Sequence, residues 1–320
     1  MKILITGALG FVGSHLTEKY VNEGHTVIGV DSLFSGSAIN VKHVLDCINF
    51  RLELGDIRDK EFLLRLMDGV DCVFHLAAQV HVGRSMTEPE MTWDINVNGT
   101  QNVLETARSC GVKKIIHASS SEVYGSAQFV PMDGTHPLDA PHPYGASKTA
   151  GDRMCFAYQR TYNMDIVIVR PFNIFGPRQR DDNYGGVVSI FARMILQDIP
   201  PVVYGDGSQG REYTYVTDVV DAYDRIMKYT GSISIPINIG SGEEITIKRL
   251  AYKLIEICGK KFAPVFVEAR VADLDRLVVD ASKAKELLGW KPTVSIEEGL
   301  HKLVEWYRTD GVDRLIKRVG

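Results

Sequence analysis

No pair of cysteines in this 320-residue chain has the C-x-x-C spacing of a zinc site or a redox motif. The five cysteines (Cys47, Cys72, Cys110, Cys155 and Cys258) are odd in number and scattered, which points to reduced, buried thiols rather than a disulfide framework. No two of the nine histidines show H-x-x-x-H spacing, so no metal is expected. Runs of 18 or more apolar residues are missing, which excludes a membrane-spanning helix. Basic runs are missing too, and the formal net charge of −4 argues against a partner gripped by its nucleic-acid backbone. The opening MKILITGALGFVGSHL lacks the uninterrupted apolar stretch of a secretion signal. Together these absences lead to the expectation of a cytoplasmic protein.

What is present is ordinary for a folded chain: 45% hydrophobic and 24% charged residues, with length enough for one large domain or two moderate ones. Short β-branched runs alternate with amphipathic stretches through the first half. Strands are expected at Lys2–Thr6, Thr26–Val30, Ile48–Glu53, Cys72–Leu76, Lys114–Ser119 and Asp165–Arg170. Helices are expected at about Gly10–Glu23, Lys60–Met67, Pro89–Ser109 and Tyr144–Tyr162. Apolar strands alternating with helices predict an α/β fold, a doubly wound parallel sheet of the Rossmann type. After about Pro171 the rhythm changes, with prolines and glycines clustered in RPFNIFGPRQ, PPVVYGDGSQG and GWKP. Residues 1–170 are therefore expected to form the dinucleotide-binding domain, and 171–320 mainly a smaller α/β substrate lobe, with about 215–240 returning to the first domain.

TGALGFVG places Gly7, Gly10 and Gly13 directly after the first strand and at the start of the first helix. In that context glycines let the backbone approach a pyrophosphate, which then rests on the helix N-terminus. Asp31 ends the second strand, 18 residues beyond Gly13. An acid there suits ribose hydroxyls and repels a 2′-phosphate, so NAD is expected rather than NADP. Further along, YGASK sets Tyr144 and Lys148 four apart, on one helix face. A neighbouring ammonium is expected to lower the phenol toward use as a base, with a serine nearby to hydrogen-bond the reacting oxygen.

These motifs, with GDIRD, HLAA, INVNGT, SSSEVYG, RPFNIFGP, YGDGSQGREYTYVTDVV and LGWKP, make the chain resemble an extended short-chain dehydrogenase/reductase of the nucleotide-sugar epimerase/dehydratase family over nearly its whole length. The resemblance implies a bound NAD that is reduced and reoxidised within one turnover. It implies that Asp56 and Ile57 flank the adenine, and that Phe11, Val12, Leu76, Ala77, Ala78, Asn96 and Ser119 border the cofactor. Tyr144 and Lys148 match the family's catalytic pair, and Ser120 its serine or threonine. Asn173, Arg211 and Arg270 match positions that hold the nucleotide diphosphate, and a UDP-sugar is the favoured substrate. A homodimer built on the Tyr144 and Pro89–Ser109 helices is also implied. Two departures concern the substrate lobe: GREY, with Glu212 for the usual aspartate, and RVAD (Arg270–Asp273).

Glu122 divides the reactions within the family. An epimerase needs no acid or base beyond the tyrosine, whereas a dehydratase needs a base at C5 and an acid for the departing C6 oxygen. Ser120-Ser121-Glu122 resembles the Thr-Ser-Glu of 4,6-dehydratases, with Ser121 in the acid's position and Glu122 as base, and AAQVHVGRS resembles the dehydratase form of its loop. Nucleotide-sugar decarboxylases share Thr-Ser-Glu, and YGGVVSIF with GPRQ resembles epimerases. A dehydratase is the expectation, with a 4-epimerase as the alternative. A non-catalytic NAD-binding regulator would be expected to lack the tyrosine or the lysine.

Overall fold

Apolar runs too short for helices, each followed by an amphipathic segment, fold as alternating strands and helices. The computed structural model describes residues 1–182, 184–269 and 276–315. Its first half runs through β1 (Lys2–Thr6), α1 (Phe11–Asn22), β2 (Thr26–Asp31), β3 (Phe50–Leu54), α2 (Lys60–Met67) and β4 (Cys72–His75). Next come α3 (Val82–Thr87), α4 (Pro89–Trp93), α5 (Gly99–Ser109), β5 (Lys114–Ala118), α6 (Pro143–Tyr162) and β6 (Asp165–Pro171). Then follow β7 (Ile174–Phe175), α7 (Val187–Leu196), β8 (Val202–Tyr204), β9 (Gly210–Glu212), β10 (Thr214–Tyr215), α8 (Val216–Lys228) and β11 (Ile237–Ile239). The chain continues through β12 (Glu244–Thr246), α9 (Ile247–Ile257), β13 (Val265–Val267), β14 (Arg276–Leu277), α10 (Ser282–Leu288) and α11 (Ile296–Arg308).

Seven strands form one parallel sheet in the order β3-β2-β1-β4-β5-β6-β11. Its unbroken apolar strands reflect burial on both faces. Side chains alternate across β1: Ile3 and Ile5 face the layer of α1 and α8, and Leu4 faces α2, α5 and α6. Growth of the sheet reverses between β1 and β4, which opens a crevice at the carboxyl ends of the strands. Residues past Pro171 contribute to the same sheet, since β11 pairs with β6 and α8 packs on α1 and β5. A separate core gathers Phe191 of α7, Leu250 and Leu254 of α9, and Leu300 and Leu303 of α11. Among the described residues no helix is long and apolar enough to cross a membrane, and no cluster of metal-ligating side chains occurs.

The expected Pro89–Ser109 helix is interrupted. Asp94–Asn98 forms a π-helical turn between α4 and α5. Such a turn widens the helix by one residue and re-aims its side chains. The helix α3 was not legible from periodicity; it is a short turn capped by His81, whose Nδ1 accepts from the Arg84 N–H at 2.8 Å.

The LGWKP segment earns its place by anchoring on α8. Asp218 is buried, and its carboxylate accepts from the N–H groups of Thr293 and Val294, both at 3.0 Å, and from the Thr293 hydroxyl at 2.6 Å. The buried Trp290 donates its indole N–H to the Asp218 carbonyl at 2.9 Å. Asp218→Ala leaves the Thr293 and Val294 donors without their carboxylate while Trp290 keeps its carbonyl acceptor, and is expected to cost about 2–4 kcal/mol, read as a lower urea midpoint at unchanged slope.

Candidate active site

A cavity of about 1930 Å³ opens along the carboxyl ends of β1, β2, β4 and β5 and continues past β7 to α7 and β9. A site for one small ligand spans about 300–1,000 Å³, so this one has room for a dinucleotide and a substrate together. Gly7, Gly10, Phe11, Val12, Gly13, Asp31, Asp56, Ile57, Leu76, Ala77, Ala78 and Ser119 all line it. Gly13 packs on the glycine loop so closely that a β-carbon there would lie 2.0 Å from the Gly7 carbonyl oxygen. Gly10 caps α1 without a side chain, and the first turn holds no acid, which leaves the N-terminal N–H groups and dipole open to an anion.

Asp31 does two things at once. Its carboxylate accepts from the N–H groups of Leu9 at 3.0 Å and Leu33 at 2.8 Å, pinning the glycine loop. A carboxylate has more acceptor positions than these two bonds use, so ribose hydroxyls can still be bound. Burial pushes its carboxyl up, against the pull of the two N–H donors. Asp56 is gripped by Arg58 at 2.7 and 3.0 Å, which also reaches Asp94 at 2.8 Å, and these bonds hold the Asp56 carboxyl below its usual range. Asn96, expected at the cofactor, does not line the cavity. It sits on the π turn, and its amide bonds both main-chain groups of Gln79, at 2.8 and 2.9 Å, and the Ser147 hydroxyl at 2.9 Å. Its visible role is to brace the wall from behind.

Ser120, Ser121, Glu122, Tyr144 and Lys148 come together on one wall. After β5, Ser120 caps a short helical turn (Ser121–Val123), its hydroxyl accepting from the Glu122 N–H at 3.2 Å. That turn docks on the start of α6, where Gly145 of YGASK is required: a β-carbon there would lie 2.6 Å from the Glu122 carbonyl. Tyr144 and Lys148 are 7% and 5% exposed. Burial pushes the Tyr144 phenol up to about 12, the Glu122 charge adds to this, and a hydrogen bond with Ser120 opposes it. Lys148 is not among these influences, so the four-residue spacing alone does not deliver the lowering expected of it. Burial pulls Lys148 itself down to about 8, and Asp152, one helical turn further on, draws it back up.

Asp152 and His142 belong to none of the expected site residues, yet both bear on the site. Asp152 is fully buried and bonded by Arg170 through Nε at 2.9 Å and Nη2 at 2.8 Å. Arg170 also donates to the Tyr124 hydroxyl at 2.9 Å, which donates to Asn238 at 2.6 Å. His117 and His75 lie beside this group, and burial holds both imidazoles neutral. His142 is the N-cap of α6: its Nδ1 accepts from the Gly145 N–H at 3.1 Å, and its Nε2 meets Glu122 Oε2 at 2.9 Å. The pattern of a polar residue before Pro143, the first helical position, was the available clue.

On the substrate side, Asn173 and Arg211 line the far part of the cavity. The Asn173 Nδ2 is buried without a partner among the described residues, and its φ of 29° is unusual for a non-glycine residue. Arg211 rises from β9, donating to the Gly210 carbonyl at 2.8 Å. Glu212 faces away from the cavity; buried, with its carboxyl pushed up to about 7, it accepts from the Val279 N–H at 2.8 Å. That departure is a matter of packing. Arg270 and the rest of RVAD lie outside the described residues.

Residues 4–303 match the family model described as GDP-mannose 4,6 dehydratase. The UDP-glucose 4-epimerase of Mycolicibacterium smegmatis is 37% identical, over 96% of this chain and 99% of its own length. The UDP-glucose 4-epimerase of Thermotoga maritima, solved with UDP-glucose, superposes with a TM-score of 0.92 at 36% identity, over 96% of this chain and 99% of that one. The dTDP-glucose 4,6-dehydratase of Streptomyces venezuelae, solved with NAD bound, gives 0.92 at 33% identity, over 98% and 100%.

The Lys148 ammonium is held with a lowered pKa, so it is present below about pH 8 and lost above it. Removing the Asp152 charge takes away what raises that value. Asp152→Asn, whose amide oxygen still accepts from Arg170, is expected to move the alkaline limb of the rate of sugar oxidation down by roughly a pH unit. A limb that stays in place would show that Asp152 does not govern Lys148.

Proposed function

Because the chain belongs to the extended short-chain dehydrogenase/reductase family of NAD-dependent nucleotide-sugar epimerases and dehydratases, we propose that it is a nucleotide-sugar 4,6-dehydratase. The observation that carries this reading is the Glu122 carboxylate, lined up in the same cavity as Tyr144 and near enough to influence its phenol. Bound NAD supplies a reversible acceptor for the C4 hydride. Tyr144 takes the proton of the C4 hydroxyl, with Ser120 hydrogen-bonding that oxygen and Lys148 providing positive charge alongside. The resulting ketone acidifies the C5 proton, which Glu122 removes. As the C5–C6 double bond forms, the C6 oxygen leaves. Ser121 offers only a hydroxyl, so the proton now on Glu122 is the one available to the departing oxygen, and water is lost; the hydride and the proton held by Tyr144 then return to the unsaturated sugar, which leaves the turnover redox-neutral. Asn173 and Arg211 would hold the diphosphate of a UDP-sugar, and the protein would act as a cytoplasmic homodimer across α5 and α6.

A second reading, a 4-epimerase, is favoured by one specific likeness: two of the relatives above carry that activity in their names. Tyr144 and Lys148 suffice for it, and Glu122 would then have no chemical task.

Incubation with UDP-glucose, UDP-N-acetylglucosamine and dTDP-glucose, followed by mass spectrometry, separates the two. Dehydration removes one water from the sugar; epimerisation leaves the mass unchanged. Glu122→Gln is expected to stop product formation by at least about a hundredfold while reduction of bound NAD persists. Full turnover in that variant would sink the dehydratase reading.

A further inference from the structure

His142 does something that an ordinary helix cap does not. Ser, Thr, Asp or Asn usually fill this position, and any of them would satisfy the Gly145 N–H. An imidazole reaches further. Because Nδ1 accepts from Gly145 at 3.1 Å, the ring proton belongs on Nε2, and that N–H points at Glu122 Oε2, 2.9 Å away. The ring lies 11° from parallel to Tyr144, with centroids 6.1 Å apart. The His142 and Glu122 side chains are 12% and 24% exposed, and both line the cavity. One Glu122 oxygen is thereby fixed, and no donor among the described residues is hydrogen-bonded to the other, Oε1. Close packing of Gly145 on the Glu122 carbonyl holds the two segments in the same register.

We propose that His142 is the positioning residue that aims Oε1 of Glu122 at the C5 proton, and so decides whether the oxidised sugar goes on to lose water. The oxidation at C4 does not need it. This inference rests on the dehydratase reading, since it concerns the step at C5. In the proposed geometry Nε2–H keeps its proton throughout: the C5–H bond breaks, its proton goes to Glu122 Oε1, the electron pair enters the C5–C6 double bond, and the C6–O bond breaks with its pair on the oxygen that departs as water. His142 touches neither the sugar nor the transferred proton. Its effect comes from restricting one carboxylate to one orientation, a requirement of proton transfer at hydrogen-bond range.

The test separates the two half-reactions in the NAD-loaded protein. Absorbance of the reduced nicotinamide follows oxidation at C4, and deuterium uptake from heavy water at C5 follows Glu122. His142→Asn keeps a good helix cap but is too short to reach Glu122. It is expected to leave the rate of nicotinamide reduction within about twofold while C5 exchange falls at least about tenfold. His142→Gln, whose amide N–H extends about as far as Nε2, is expected to recover part of that exchange. Undiminished exchange in His142→Asn would overturn the proposal. So would a parallel fall in both half-reactions of both variants, which is the signature of a merely structural cap. Wild-type protein that reduces its NAD with a nucleotide sugar yet shows no C5 exchange would remove the dehydratase reading itself, and the proposal with it.

Discussion

The buried ion pair between Asp152 and Arg170 joins the parts on which the site depends. Asp152 stands on α6, one turn beyond Lys148, and Arg170 on the neighbouring strand β6. Burying two charges is costly unless geometry and further hydrogen bonds compensate, and here Arg170 continues to Tyr124 and Tyr124 to Asn238. One network thus ties α6 to β6, to the turn after β5 and to β11. Truncating either side chain would leave the other without its hydrogen-bond partner in the interior, a much larger penalty than loss of a surface pair.

Around that anchor the site is assembled by close approaches between backbone segments. Gly13 lets α1 settle on the glycine loop, and Gly145 lets the Ser121–Val123 turn settle on α6. Asp31 then locks the loop from the side, and Asn96 braces the opposite wall through Gln79. Burial drives Tyr144 and Lys148 toward their neutral forms, and Asp152 draws Lys148 back toward its charged form.

Much of this was legible along the chain. Strands buried on both faces read as continuous apolar runs, and each of the six expected strands appears within about two residues of its expected ends. The glycine loop, Asp31, Tyr144 and Lys148 were legible because their spacing follows from local geometry: a turn, a strand end, a helical repeat; Glu122 stood out only through the family resemblance of its stretch. The π turn was not, because its extra residue does not disturb the apolar pattern enough to be seen. Asn96 was placed at the cofactor because it lies in a recognisable motif, but its bonds are directed at Gln79 and Ser147, which are far from it in sequence.

The amino-acid sequence by itself determined the alternation of strands and helices, the glycine loop and the candidates for reactive side chains. All of these depend on residues within a few positions of one another. The tertiary structure alone decided which groups surround those side chains. His142 is 20 residues from Glu122, Asp152 is 18 from Arg170, and Thr293 is 75 from Asp218, yet each pair is in hydrogen-bond contact. Protonation and orientation depend on such neighbours through burial and short-range forces, and contacts across these separations exist only once the chain has folded.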